Sequence, residues 1–337
     1  MINRTTTLIT GEQNPYWNLA LEEQLLAGLM PSECILYLWQ NRNTVVIGRN
    51  QNAWRECRVE ALKEAGGFLA RRFSGGGAVY HDSGNLNFTF VAHKADYDED
   101  KQLLVIQKAL EKFGLKTEKT GRNDLVCEGR KFSGNAFYHQ GDVDCHHGTL
   151  LLDVNTEKMQ EFLHVSEKKL KSKGVQSVKS RVVNLKELCP QMTLELLEEN
   201  LFEAFQEVYG CAPKPLLETR IDWAKVKERA EFLSSWEWLY GRKIPFQTEW
   251  TDRFSWGEIQ IQAAVDEGII RDVQIYTDAM ALEFVEPLKN GLTGQPYGET
   301  AMEKALDTAM DAGGKDLEAL MAPSMREDLI QLWKAHV

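Results

Sequence analysis

Apolar positions in the first half of the chain recur with two periods, one helical and one strand-like. From Tyr16 to Leu26 leucines recur near the helical period, and Asn14 followed by Pro15 is a typical helix start. We also predict helices over 59–65, 102–113 and 194–208, and strands over 35–39, 44–48, 68–72, 78–80 and 85–91, with further strands between 125 and 152. This half therefore mixes helices with strands.

The pattern changes after Leu233. Residues 234–241 are aromatic and polar, and Pro245 follows them closely. Beyond this stretch, 258–276 alternates around Asp-Glu-Gly, which predicts a hairpin, and 300–312 and 324–336 read as helices. We therefore predict two domains, 1–243 and 244–337, of which the second is a small α+β domain.

The composition predicts a folded protein with a sizeable core and disfavours two kinds of partner. The 337 residues, 43% of them apolar, suffice for two domains. With 39 basic against 50 acidic residues the net charge is −11, which argues against nucleic acid as a partner, because broad binding of it needs a basic surface. No run of about 18 apolar residues predicts a membrane span.

The cysteines and the first residues bear on the compartment. Six cysteines are scattered without a Cys-x-x-Cys pair, so we expect free thiols rather than disulfides or a zinc site. The first residues show no apolar signal-peptide core. Both observations predict a cytoplasmic protein.

The candidate chemistry begins in a glycine-rich loop between two predicted strands. Arg71 and Arg72 precede residues 73–77, Phe-Ser-Gly-Gly-Gly. Three glycines leave backbone N–H groups open to an anion, and arginine pairs with phosphate oxygens in a planar fork. The loop therefore suggests a phosphate-bearing ligand, although a hairpin tip with solvated arginines has the same pattern. Neither the dinucleotide fingerprint nor the Walker A pattern fits it.

A second group of polar residues follows farther along the chain. Asp124 enters a predicted strand, Lys131 follows a turn, and His146 and His147 precede another strand. Taken singly, these are a turn residue, a solvated lysine and structural histidines. His146 and His147 point to opposite faces of an extended strand, so they cannot easily bind one metal ion together. The interpretation changes because the glycine-flanked polar strand 131–136 could face the glycine loop.

A basic stretch covers residues 164–181. Six cations minus one acid give it a local charge of +5 in a chain of net charge −11. A solvated helix face and loop have this composition, and so does a mobile loop that covers a phosphate. The residues predicted for such a phosphate-covering loop are Lys171, Lys173, Gly174 as a hinge, Lys179 and Arg181.

Together and in this order, these blocks resemble the lipoate–protein ligase A family nearly from end to end. The matching runs, each weak alone, are 14–23, 44–52, 71–82, 121–125, 131–136, 146–151, 171–182 and 235–238. The resemblance implies an α+β fold in which a mixed β-sheet is flanked by helices, akin to biotin–protein ligases and class II aminoacyl-tRNA synthetases. It also implies a small C-terminal accessory domain.

The same resemblance implies a two-step reaction. Lipoate and ATP give lipoyl-AMP and pyrophosphate, and the lipoyl group then passes to a specific lysine of an acceptor protein. The implied acceptors are lipoyl domains of 2-oxoacid dehydrogenases and the H protein of glycine cleavage. Mg²⁺ is expected because a triphosphate needs its charge compensated, and Asp124 is its candidate ligand.

Site residues follow from the resemblance position by position. Lys131 matches the lysine that contacts both the lipoyl carbonyl and the α-phosphate, which makes it the predicted catalytic and lipoate-binding residue. Arg72 matches an arginine that contacts the nucleotide. The other residues predicted for the ATP or adenylate pocket are Ser74, Gly77, Ala78, Val79, Tyr80, Asn85, Asp124, Ala136 and His147.

Three alternatives stay open at this point. Cys127 and Cys145 lie near the predicted site, and related octanoyl- or lipoyl-transferases use a cysteine thioester and no ATP; Lys131 occurs in both groups. Other relatives are lipoyltransferases that use only preformed lipoyl-AMP, which the lack of an Arg- and Ser-rich leader disfavours. A non-catalytic binding module would hold the adenylate without turnover.

Overall fold

The computed structural model describes residues 1–121, 123–164, 181–241, 243–321 and 323–337, with the helical backbone alone for 312–320. Its strands are β1 (Arg4–Ile9), β2 (Glu33–Trp39), β3 (Thr44–Ile47), β4 (Phe68–Arg71), β5 (Val79–His81), β6 (Asn85–His93), β7 (Thr117–Thr120), β8 (Asp124–Cys127), β9 (Arg130–Gln140), β10 (Val143–Leu151), β11 (Lys214–Pro215), β12 (Thr248–Phe254), β13 (Gly257–Asp266) and β14 (Ile269–Thr277).

The helices of the described residues follow in the same way. They are α1 (Pro15–Ala27), α2 (Ala53–Glu56), α3 (Val59–Glu64), α4 (Glu99–Glu111), α5 (Thr156–Phe162), α6 (Leu185–Leu188), α7 (Leu194–Tyr209), α8 (Trp223–Leu233), α9 (Trp236–Tyr240), α10 (Val285–Leu292), α11 (Ala301–Leu320) and α12 (Met325–Lys334), with a 3₁₀ turn at Glu218–Arg220. Within these residues, no helix combines the length and the apolar character needed to cross a bilayer.

Residue contacts divide the chain into two compact units. The first unit comprises Met1–Val46, Trp54–Arg72 and Ala78–Leu239, and the second comprises Ile47–Ala53, Phe73–Gly77 and Tyr240–Val337. The second unit therefore includes two short segments from early in the chain. The predicted division of roles between 1–243 and 244–337 stays a prediction.

The first unit is built on a large mixed sheet. Among the described residues it has eight strands in the order β11-β1-β2-β6-β10-β9-β8-β7. β1 runs parallel to β2 and to β11, and the other neighbouring strands are antiparallel. The predicted fold class, α+β with a mixed sheet flanked by helices, is confirmed.

The two faces of this sheet differ in character because successive side chains of a strand point to opposite sides. On one face, Leu86, Phe88 and Phe90 of β6 form an apolar core with leucine and alanine side chains of α4 and α7. On the other face, covered by α1, polar side chains are buried. They are Asn85, Asn87 and Thr89 of β6 and His147 and Thr149 of β10.

Local capping explains where two predicted helices begin. The Asn14 side chain accepts a hydrogen bond from the Tyr16 N–H and Pro15 is the first residue of α1, which confirms the predicted start. α4 begins at Glu99 rather than at residue 102. Asp98 accepts a hydrogen bond from the Lys101 N–H there and caps an earlier turn than the hydrophobic pattern indicated.

The second unit is a three-stranded antiparallel sheet, β12-β13-β14, packed with α10, α11 and α12. The predicted hairpin is confirmed. Glu267 and Gly268 join β13 to β14 with φ values of 49° and 73°. Two positive φ values in a two-residue loop are what a type I′ turn requires.

The glycine-rich loop 73–77 lies in the second unit, and packing there explains two of its glycines. A Cβ atom on Gly75 would lie 2.4 Å from the carbonyl oxygen of Ala279 and 2.7 Å from that of Met280. Gly76 has a φ of 86°, and its N–H donates to the Ala279 carbonyl at 3.2 Å. This N–H makes a backbone hydrogen bond, which corrects the expectation that it points at an anion.

Candidate active site

Lys131 and Asp124 form the charged centre of the candidate site in the first unit. Lys131 Nζ lies 2.7 Å from Asp124 Oδ1, and Arg181 donates a hydrogen bond to Asp124 Oδ2. Burial alone would raise the pKa of Asp124, but the charges and hydrogen bonds of Lys131 and Arg181 outweigh it and lower that pKa below its usual value. The ionised carboxylate therefore holds two cations.

A bulge in the sheet places Lys131. Leu125 of β8 pairs with Ser133, whereas Val126 pairs with Lys131, so that Phe132 has no partner across the ladder and enters the apolar core. The Lys131 carbonyl accepts a hydrogen bond from the Val183 N–H at 2.9 Å. This backbone contact holds the segment 181–183 next to β9. Arg181, at the start of that segment, contacts Asp124.

Gly134 provides the space that the lysine side chain occupies. A Cβ atom on Gly134 would lie 2.5 Å from Lys131 Nζ and 2.9 Å from Lys131 Cε. The Gly134 N–H donates to Thr149 Oγ1 at 3.2 Å, which ties β9 to β10 at this point. The lysine therefore passes directly over a glycine on the face of the sheet that carries the buried polar residues.

His147 and Glu22 form a buried pair on the same face. His147 Nδ1 lies 2.9 Å from Glu22 Oε2, and the Glu22 side chain is fully buried. Thr89 donates to Glu22 Oε2 at 2.6 Å, and the Trp39 Nε1–H donates to Thr89 at 3.0 Å. The hydrogen-bonded chain Trp39–Thr89–Glu22 therefore fixes the orientation of the His147 ring. In the pairing of β10 with β9, His147 lies opposite Ala136.

Arg72 and His81 add a second buried polar group beside this pair. Burial, together with the charges of Arg72 and His147, lowers the pKa of His81 to about 3, so His81 is neutral. Burial also lowers the pKa of Arg72, to about 10, while Glu22 acts in the opposite direction. Arg72 therefore stays charged at neutral pH, with Glu22 as a buried counter-charge.

Three buried polar atoms of this neighbourhood have no hydrogen-bond partner among the described residues. They are His81 Nε2, Asn85 Oδ1 and Asn87 Nδ2. The other ends of these side chains are bonded: Asn41 lies 3.1 Å from His81 Nδ1, and Asn85 donates to Asn87 Oδ1 at 2.9 Å. Buried polar groups are nearly always satisfied, so these atoms fit a site that a polar ligand or water completes.

The remaining predicted residues are placed as follows. Ala78 precedes β5, and Val79 and Tyr80 lie in it. The Tyr80 hydroxyl donates to Asn43 Oδ1 at 3.1 Å, and Tyr80 pairs with Val45 of β3. Ser74 and Gly77 belong to the second unit, where the Ser74 carbonyl accepts from the Arg49 N–H at 2.9 Å. The predicted loop residues Lys171, Lys173, Gly174 and Lys179 lie outside the described residues.

The role of Asp124 as a magnesium ligand stays a prediction. Both of its oxygens contact cations in this structure, so a metal ion there would have to displace Lys131 or Arg181. Among the described residues, Glu22, Cys145 and His147 have donor atoms within 4.8 Å of one another. Only one of the three offers oxygen, the atom that Mg²⁺ prefers.

Glu22, His81 and Asn41 were missed by the sequence analysis. Glu22 occupies the predicted first helix next to Glu23, which forms an ordinary ion pair with Arg229. Their immediate neighbours do not distinguish the two acids. The helical period does, because Glu22 lies three residues from Leu19 and three from Leu25, on the buried face of α1.

Comparisons with known proteins agree with one another. The sequence model of the lipoyl protein ligase A/B catalytic domain matches residues 14–206, and that of the bacterial lipoate protein ligase C-terminus matches 243–322. The chain is 37% identical over 334 residues to lipoate-protein ligase A of Bdellovibrio bacteriovorus, covering 97% of this chain and 98% of that protein.

Two solved structures are similar over their whole length. LipL1 of P. falciparum, in complex with lipoate, has a TM-score of 0.81 and 28% identity, covering 97% of this chain and 99% of that one. A bipartite lipoate protein ligase of Thermoplasma acidophilum, studied with its E2 lipoyl domain, has a TM-score of 0.62 and 26% identity over 72% of this chain and 99% of that one.

Proposed function

We propose that this chain, which belongs to the family of lipoyl protein ligase A/B catalytic domains, is an ATP-dependent lipoate–protein ligase. It activates lipoate with ATP to lipoyl-AMP, releases pyrophosphate, and transfers the lipoyl group to a lysine of an acceptor protein. The observation that carries this proposal is Lys131, which is held by Asp124 within the matched catalytic region and on the face of the sheet that carries buried polar residues.

The first step joins two anions, and the site offers cations for it. A carboxylate must approach the α-phosphate, so the negative charges have to be neutralised at the junction. Lys131, with three N–H donors, stabilises the charge that develops on the phosphorus oxygens, and Arg72 adds a fixed positive charge beside the site. Asp124 holds Lys131 in place until the phosphate competes for it.

The second step uses the same lysine on a different atom. The mixed-anhydride carbonyl of lipoyl-AMP gains negative charge as the acceptor amine attacks, and Lys131 donates to that oxygen. AMP then leaves with the electron pair of the cleaved bond, and the attacking amine releases one proton to solvent as the amide forms. His81 Nε2, Asn85 and Asn87 are the buried groups that would bind the polar parts of the adenylate. Mg²⁺ would compensate the charge of the triphosphate, and no step is assigned to a protein-bound metal.

The acceptors, the units and the compartment complete the proposal. We expect lipoyl domains and the glycine cleavage H protein as acceptors, a proposal supported by the Thermoplasma ligase that was studied with its lipoyl domain. Residues 1–243 would carry catalysis and 244–337 an accessory role. The six cysteines are free, five of them buried, which suits the reducing cytoplasm.

ATP–pyrophosphate exchange is the experiment that tests this function. Exchange that depends on lipoate is the expected result, and octanoate and biotin are compared with it. Transfer that proceeds from lipoyl-AMP but never from lipoate and ATP would instead identify a lipoyltransferase. Adenylate binding without exchange or transfer would identify a binding module. A parallel incubation with an apo lipoyl domain, followed by intact-mass measurement, detects the second step.

A cysteine thioester mechanism is disfavoured by the state of both candidate thiols. Cys145 is fully buried and Cys127 is nearly so, and burial raises the pKa of each thiol above its ordinary value. The thiolate is the nucleophilic form, so neither group is prepared for attack. The serine double variant C127S/C145S is therefore expected to keep ATP-dependent activity within about twofold of the wild-type value. A loss of this size corresponds to slightly altered packing around the two buried side chains.

Mass spectrometry provides the control for this prediction. The wild-type protein incubated with an acyl donor should show no adduct on Cys127 or Cys145. A stable acyl adduct on either residue, together with transfer in the absence of ATP, would support the transferase instead. An activity loss in the double variant without such an adduct would indicate altered packing, which a melting curve detects.

A further inference from the structure

His146 is a buried histidine that the proposed chemistry does not use. It faces the apolar core, on the opposite side of β10 from His147, and lies against the Phe137 and Phe88 rings with centroids 4.7 and 5.3 Å away. Its Nδ1 is 2.9 Å from the side-chain oxygen of Gln102 in α4, and its Nε2 is 2.9 Å from Asn135 Oδ1. A polar ring with two amide partners in an apolar core calls for an explanation.

Asn135 connects this ring to the turn that precedes Asp124. The Asn135 N–H donates to the Asn123 carbonyl at 2.9 Å, and Asn135 Nδ2 donates to the same carbonyl at 3.1 Å. In return Asn123 Nδ2 donates to the Asn135 carbonyl at 2.6 Å. Three hydrogen bonds therefore hold the residue before Asp124 against β9, close to where Lys131 leaves the strand.

The hydrogen-bond chemistry fixes the direction of the chain. A backbone carbonyl only accepts, so the amide nitrogen of Asn135 must face Asn123 and its oxygen must face His146. Nε2 of His146 is therefore a donor. Burial lowers the pKa of His146 well below its usual value, so the ring is neutral and Nδ1 must accept. Gln102 satisfies this when its amide nitrogen, otherwise buried without a partner, faces the ring.

Gly148 reserves the space in which His146 and Asn135 meet. A Cβ atom at this position would lie 2.9 Å from Asn135 Oδ1 and 2.5 Å from the Phe88 ring. The run His146-His147-Gly148 thus divides its tasks: one histidine faces the candidate site, the other faces the core, and the glycine gives room to the amide that the second one holds.

We propose that His146 is a positioning residue which, through Asn135, holds the Asn123–Asp124 turn so that Asp124 meets Lys131. The role of Lys131 in this inference rests on the proposed ligase function. The chain Gln102–His146–Asn135–Asn123 runs along the core face of the sheet and ends at the residue that precedes Asp124. His146 itself touches neither Lys131 nor Asp124 in the contacts that the described residues make.

Two substitutions separate this role from simple packing. The amide nitrogen of Gln reaches the position of histidine Nε2, whereas the amide of Asn reaches only that of Nδ1. His146→Gln should therefore keep the donor to Asn135, and His146→Asn should lose it. Both remove the ring and should lower the melting temperature similarly. We expect kcat for lipoate-dependent exchange to fall about tenfold more in His146→Asn than in His146→Gln, with a similar KM for lipoate in both.

Amide hydrogen exchange gives a readout that does not need activity. Peptides covering 123–135 should exchange faster in His146→Asn than in His146→Gln, because the Asn123–Asn135 contacts loosen. Equal kcat and equal exchange in the two variants would overturn the positioning role. A wild-type protein without lipoate-dependent turnover would contradict the proposed function instead, while the hydrogen-exchange comparison would still decide whether His146 holds the turn.

Discussion

Lys131→Ala is expected to lower the rate of lipoate-dependent ATP–pyrophosphate exchange by about 10²–10³-fold, which corresponds to about 3–4 kcal/mol of transition-state stabilisation. The ammonium group lies 2.7 Å from Asp124 and is only 19% exposed, so it acts in surroundings that screen charge weakly. Removing it leaves two anionic substrates to meet without a donor at their junction. We expect the loss in kcat rather than in the KM for ATP.

Folding should survive this change. Asp124 keeps Arg181 as a partner, so Lys131→Ala does not leave a carboxylate buried without a counter-charge. A melting temperature close to that of the wild type is the expected control, and Lys116→Ala, which removes an exposed lysine of the same unit, should leave exchange unchanged. Exchange retained within twofold in a folded Lys131→Ala protein would remove this lysine from the catalytic role.

The sequence identified the elements whose signals are local. Asn14 and Pro15 mark the start of α1 because capping and the fixed φ of proline act within one turn. The hairpin at 266–268 was predicted because a two-residue turn is encoded by its own residues. By contrast β1 was missed. Its sequence, Arg-Thr-Thr-Thr-Leu-Ile, shows no alternation of apolar and polar residues, and it becomes a strand by pairing with β2 and β11.

Residues whose role depends on distant contacts could not be read in the same way. Gly75 looked like part of an anion cradle, yet its lack of a Cβ atom is explained by the carbonyls of Ala279 and Met280, about two hundred positions later. Glu22 looked like one of two helix-surface acids until the sheet placed His147 beside it. Lys131 was predicted from family resemblance, since a lysine after a turn is by itself an ordinary surface residue.

Gly134→Ala is expected to reduce kcat on the order of 10²-fold without removing any polar group. The new methyl group would lie 2.5 Å from Lys131 Nζ and 2.9 Å from Cε, so it occupies the path of the lysine side chain. These are the far atoms of a flexible side chain, and Gly134 has no positive φ that would strain an alanine. The strand should therefore stay in place while the ammonium group moves away from its position between Asp124 and the substrates.

A double-mutant cycle decides whether Gly134 acts through Lys131. If the methyl group only displaces the lysine, adding Gly134→Ala to Lys131→Ala should change the rate little further, because the displaced group is already gone. Gly11→Ala is a matched control, since no atom lies within 4 Å of a Cβ atom there and the rate should not change. Additive losses in the double variant would mean that the methyl group obstructs a substrate directly. A wild-type rate in Gly134→Ala would mean that Lys131 contacts the substrates from another side-chain conformation. The conformation over Gly134 would then not contribute to catalysis.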